Sequence, residues 1–108
     1  MKEWSANNLV KNINEANKEE MQEVAESVLK STYLNMLDKR IFEDKIPSGL
    51  VLSYCKSNYN EQDLISIVIN TFTNAGYVIV FDNETNSFNV SVKALVEYMK
   101  GDNDEHSL

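Results

Sequence analysis

Between Lys18 and Glu43 the chain contains neither proline nor glycine, and that uninterrupted stretch limits the fold more than any other feature. Nothing in it breaks a helix. Met21, Val24, Ala25, Val28 and Leu29 recur at helical spacing and are continued by Tyr33, Met36, Leu37 and Ile41, the signature of one core-facing stripe. The stripe drifts around the helix and widens toward its end. A helix of about 25 residues is roughly 37 Å long, whereas a compact domain of this size has a radius of gyration near ~13 Å. Such a helix bends, or overhangs its own core and is covered by something else.

Upstream, Ser5 is a good N-cap, with Trp4 before it and Leu9 at the fourth helical position. That pairing has the spacing of a hydrophobic staple. Ala6, Leu9, Val10, Ile13 and Ala16 follow at helical spacing, and Asn17 with Glu20 three residues on repeats a capping-box pattern. The first half therefore reads either as two helices parted near Asn14–Asn17 or as one long rod.

Downstream, Ile46-Pro47-Ser48-Gly49 breaks the helix. Leu50–Cys55 reads as a strand with Leu50, Leu52 and Tyr54 on one face, followed by a polar loop to Asn60. Asn60 can cap a helix whose positive N-terminal end suits Glu61 and Asp63. Leu64, Ile65, Val68, Phe72 and Ala75 give that helix an apolar face, and Gly76 stands where a left-handed C-cap belongs. The β-branched run Ile65–Thr71 also suits a strand, but helix is the preferred reading. Tyr77, Ile79 and Phe81 alternate, Asp82–Asn86 is turn chemistry, and Phe88, Val90 and Val92 alternate on the return. This is a β-hairpin with one buried face. A short helix, Lys93–Lys100, is expected to bury Ala94, Leu95, Tyr98 and Met99 and to end at Gly101. The class is α+β: a long N-terminal helix or helical pair, and a small, mainly antiparallel sheet of about three strands. A C-terminal hairpin belongs to that sheet, and the helices cover one of its faces.

With 108 residues, 43% of them hydrophobic, the chain can bury one core but hardly two. Residues 1–101 are read as one domain and 102–108 as a disordered acidic tail. The net charge is −7 and the ten cations are scattered singly, so no basic stripe exists to track a phosphate backbone. Direct nucleic-acid binding is not expected, whereas a basic protein partner is compatible. The longest apolar runs, Ile67–Ile69 and Tyr77–Phe81, fall far short of a membrane span. The first eight residues lack the apolar core of a signal peptide, and the single cysteine, Cys55, has no internal partner. A cytoplasmic protein is the expectation.

Catalysis and metal binding need convergent groups, and the sequence supplies few. The only histidine, His106, stands near the C-terminus among Asp102, Asp104 and Glu105, where a frayed tail cannot fix coordination geometry. No other histidine is left to activate Cys55 or a serine, and Cys55 is read as a buried structural residue. Gly49, Gly76 and Gly101 are isolated, unlike a phosphate-cradling loop. Asp82 and Glu84 sit in a turn, where backbone hydrogen bonding explains them. No catalytic residue, metal or cofactor is assigned.

Ala75-Gly76-Tyr77-Val78-Ile79-Val80-Phe81-Asp82, a turn, then Phe88-Asn89-Val90-Ser91 resembles small α/β proteins of phages and prophages of low-GC bacteria, mostly of unknown role. They too carry a Glu- and Lys-rich helical lead and a hairpin after Gly-Tyr. The resemblance spans roughly residues 5–92; the helix after Val92 departs from it. An asparagine-rich composition fits an AT-rich genome.

Two surfaces stand out as sites of contact. The apolar residues Tyr33, Leu34, Leu37, Ile41 and Phe42 wrap further around the helix than one core-facing stripe requires. Glu15, Glu19, Glu23 and Glu26 form an acidic ridge, read either as a solvated face or as a contact for a basic protein. Trp4 serves as staple or as partner anchor. The leading expectation is a non-enzymatic phage- or prophage-type accessory protein that binds another protein, such as a host factor or host-defence component, or itself, through the long helix. The alternatives are a virion or assembly protein that forms a homo-oligomer, and a sponge for a signalling nucleotide.

Overall fold

A computed structural model describes residues 2–54 and 60–106. A single helical turn, Lys2–Trp4, precedes helix α1 (Ala6–Lys39). Strand β1 (Glu43–Pro47), helices α2 (Ser48–Leu52) and α3 (Glu61–Asn74), strands β2 (Val78–Asp82) and β3 (Ser87–Ser91) and helix α4 (Lys93–His106) follow. The class is α+β, with one open antiparallel sheet of order β1-β3-β2.

The first half is one helix of 34 residues. Ser5 caps it, its Oγ accepting the Asn8 N–H at 3.2 Å. It runs through Asn14–Asn17 unbroken because an interior asparagine costs a helix only about 0.7 kcal/mol or less, too little to force a break without proline or glycine. The staple is not a buried contact: Trp4 is 80% exposed and Leu9 58%.

From Met21 on, α1 has a buried face. Met21, Val24, Ala25, Val28 and Met36 join Leu64, Val68 and Phe72 of α3 and Ile46, Ile79, Phe88 and Val90 of the sheet in one core. Asn60 caps α3 by accepting the Gln62 N–H at 2.9 Å. Across the helix pair, the Gln22 side-chain amide donates to Thr71 Oγ1 at 3.2 Å, while the first turns of α3 face residues 14–21 of α1 across a cleft. The two helices thus run in the same direction. Ala75 is exposed and caps α3 without joining its apolar face.

The hairpin takes the expected register. Ile79 pairs with Val90 and Phe81 with Phe88, whose rings lie 5.0 Å apart. Ile79, Phe88 and Val90 are buried, Tyr77, Phe81 and Val92 half-buried, and Val78 and Val80 exposed on the outer face. Asn86 takes a left-handed φ of 50° in the turn, a conformation asparagine tolerates. There Asp82 Oδ1 accepts the Glu84 N–H at 2.9 Å. That bond, followed by the Thr85 hydroxyl, holds the Asp82 carboxyl below its ordinary pKa.

Two expectations are corrected. The strand expected at Leu50–Cys55 is instead β1, seven residues earlier in the chain; Ser48–Leu52 is helix, and Cys55 lies outside the described residues. Leu50, Leu52 and Tyr54 are exposed, and Val51, on the opposite side, is buried. β1 escapes notice because only Ile46 faces the core from it. Pairing along β3 selects it: Ile46 opposes Phe88, and Asp44 opposes Val90. Its Lys45 and Pro47 suit an edge strand. The second correction concerns α4, which passes through Gly101 to His106. Ala94, Leu95, Tyr98 and Met99, expected in the core, are all exposed. α4 starts at the end of the central strand β3, and among its described side chains none is fully buried.

The molecule is accordingly long, 72 × 29 × 23 Å, with a radius of gyration of 18.2 Å against about 13 Å for a compact domain. Overhang occurs at both ends. The N-terminal turns of α1 project beyond α3 with Leu9, Val10 and Ile13 exposed, and α4 projects at the other end.

Two backbone positions give a paired prediction. Gly76 (φ 94°) and Arg40 (φ 56°) both end helices in the left-handed region, and a Cβ at Gly76 would meet nothing within 4 Å. Gly76→Ala should therefore lower stability by about 1–2 kcal/mol through conformation alone, and Arg40→Gly should raise it by up to about 1 kcal/mol; urea midpoints read both. For Asp82, the lowered pKa means that the stability it adds is present above the ordinary carboxylate range and lost as pH falls through the folded value. Titration by NMR should place Asp82 below about 3.9, and Asp82→Asn, which keeps the acceptor, should remove that pH dependence without disturbing the turn.

Candidate functional site

The last turns of α1 and the root of α4 enclose an apolar groove of about 460 Å³. α1 contributes Tyr33, Met36 and Leu37, one helical turn apart or less; its cap Arg40 follows, and the chain leaving it adds Ile41 and Phe42. Tyr77, just before β2, with Val92 and Leu95 at the β3–α4 junction, completes the walls.

Backbone hydrogen bonds set this geometry. Arg40, in its left-handed conformation, ends α1 while the Ile41 N–H folds back to the Met36 carbonyl at 3.0 Å. The Val92 N–H donates to the Phe42 carbonyl at 2.9 Å, and the Val96 N–H to the Val92 carbonyl at 3.0 Å. α4 is thereby started beside the end of α1. Tyr77 is placed by its N–H bond to the Phe72 carbonyl at 3.0 Å and by edge-on contact with the Phe72 ring.

Met36 is buried and forms the floor, and Ile41 is half-buried against the core. Tyr33, Leu37, Phe42 and Leu95 are each about half exposed, Leu37 the most at 61%. Burial, and secondarily the Tyr33 phenol nearby, pushes the Tyr77 phenol above its ordinary pKa. The phenol therefore stays neutral through the physiological range, leaving Arg40 as the one charged residue lining the groove. Such a surface binds by exclusion of water and by shape.

The structure brings together four of the residues singled out in the sequence: Tyr33, Leu37, Ile41 and Phe42. Leu34, exposed, stands outside the groove lining. Glu15, Glu19, Glu23 and Glu26 are all exposed along α1, with Glu26 accepting from Gln22 at 3.3 Å. Trp4 lies apart, at the free end of α1. Sequence reasoning missed Tyr77, Val92 and Leu95 as groove residues because their periodicity marks them equally well as core.

A larger cleft of about 610 Å³ lies between α1 and the start of α3, but asparagines, Glu15, Lys18, Asp63 and Ser66 make much of its lining polar. Asp82, engaged by the backbone of its own turn, is not paired with a second carboxylate for proton transfer. Among the described residues no three of His, Cys, Asp and Glu are grouped to hold a metal ion, and no helix is long and apolar enough to cross a membrane. No protein-family model, curated protein or solved structure matches this chain.

Proposed function

We propose that this chain is a non-enzymatic accessory protein, of the phage or prophage type its hairpin resembles, that acts in the cytoplasm by binding another protein chain through the groove at the end of α1. One observation carries this reading: Tyr33, Leu37, Phe42 and Leu95 converge on a single hollow, yet each stays about half exposed. Full burial of such a side chain is worth roughly 1.5–3 kcal/mol, and each of these forgoes about half of that while it faces water. A contiguous apolar surface of this kind marks an interaction site more often than an idle surface.

The acidic ridge complements it. Four carboxylates on one side of α1 supply long-range attraction for a basic protein surface but little affinity by themselves. A host factor or defence component with a basic face is the partner class that this ridge suits, and the groove supplies the water-excluding contact.

Affinity capture from a lysate of the cell in which the protein acts, with wild type and Leu37→Glu side by side, tests the assignment. Leu37→Glu should lose the captured chain, with far-UV circular dichroism unchanged because Leu37 is mostly exposed. Val80→Glu, on the bare outer face of the sheet, should retain it. Capture that survives Leu37→Glu, or is lost only in Val80→Glu, would place the binding face elsewhere.

A further inference from the structure

We infer that the chain covering the groove is a second copy of this protein, the two packed about a two-fold axis so that α4 of each lies over the groove of the other. The inference rests on the reading of the groove as a protein-binding face and adds the identity of its occupant.

The reason is that α4 has the same deficit as the groove. None of its described side chains, 93–100, belongs to the buried core, and Leu95, Tyr98 and Met99, at i, i+3 and i+4, are 49%, 74% and 57% exposed. Most of the apolar face described on this 14-residue helix therefore lacks cover, and a helix of that length with so little tertiary packing is marginal in water. Leu95 belongs to both surfaces, since it lines the groove and begins the bare face of α4. Groove and helix face are therefore one continuous patch. A two-fold contact is self-complementary, each element meeting its counterpart's partner twice, so one interface would cover both surfaces in both copies.

Area and charge point to the same occupant. With aromatic side chains of roughly 150–250 Å² each, the exposed parts of Tyr33, Leu37, Phe42, Leu95, Tyr98 and Met99 sum to on the order of 700 Å². A standard interface needs about 800 Å² from each partner. The chain carries a net charge of −7, which opposes self-association over most of its surface, but the groove lining holds no carboxylate. The groove itself therefore favours an apolar occupant, and the bare face of α4 supplies one.

Light scattering on the full-length chain should give twice the 12.3 kDa chain mass at micromolar concentration. Leu37→Glu in the groove and Tyr98→Glu on α4 should each raise the dimer dissociation constant roughly a hundredfold, because each lesion occurs twice in the assembly. Geometry is tested by mixing Leu37→Cys with Tyr98→Cys, both in a Cys55→Ser background. A mixed disulfide under mild oxidation is expected, and with one cysteine per chain it can only form between copies. A dimer that forms no mixed disulfide, or that dissociates in Val80→Lys but not in Tyr98→Glu, overturns the arrangement. A monomer whose capture of a different protein is abolished by Leu37→Glu overturns the second copy as occupant and leaves the groove as a binding face. A monomer with Leu37→Glu-insensitive capture overturns both.

Discussion

The structure depends on the contact between the middle of α1 and α3. Ala25, with no exposed surface, sits in the buried face of α1 that meets α3, whose Val68 and Phe72 are equally sealed from water. A small residue at such a position lets two helices pack closely, and the surrounding Met21, Val24 and Val28 fill the space on either side. The sheet then closes the third side through Ile46, Ile79, Phe88 and Val90. A substitution that enlarged Ala25 would have to push apart the two elements on which the sheet is seated. By comparison, the Lys93–Glu43 ion pair at 3.0 Å is exposed on both sides and contributes little.

That core accounts for only part of the chain, and the rest of the architecture follows from how it is placed. α1 is far longer than its partner, so packing ends before the helix does. The sheet is open, with β1 and β2 as edges and one face uncovered, and α4 departs from the end of its central strand. The apolar groove is the product of three terminations meeting: the end of α1, the return of the chain into β1, and the start of α4. Each is fixed by backbone hydrogen bonds more than by side-chain packing, which is why exposed apolar residues can be held there in a defined arrangement.

Legibility in the sequence followed the same division. The helix starts at Ser5 and Asn60, the left-handed glycine at Gly76 that follows the cap of α3 and the hairpin register could be read directly, because each rests on local chemistry that tertiary contacts do not override. β1 could not, since Glu-Asp-Lys-Ile-Pro becomes a strand only by pairing with β3, a non-local interaction with no local signature. α4 was read correctly as a helix and wrongly as buried, because an apolar stripe states which face seeks cover and not whether this chain supplies it. The same ambiguity hid half of the groove: Tyr33, Leu37, Ile41 and Phe42 stood out by their excess over one stripe, whereas Tyr77, Val92 and Leu95 carried patterns indistinguishable from core.

The projecting turns of α1 have a consequence for how that helix behaves over time. Geometrically it is one element from Ala6 to Lys39, but only the part from Met21 onward is tied to the core. Upstream amides are held by helical hydrogen bonds and the Ser5 cap with little core packing, and such segments open by local fluctuation at little free-energy cost, while the anchored part opens only with the whole domain. Amide exchange along α1 is therefore graded, fast through the first three turns and slowing sharply past Met21. The Asn14–Asn17 region, where the sequence offered a second helix start, marks a boundary in stability although it marks none in shape.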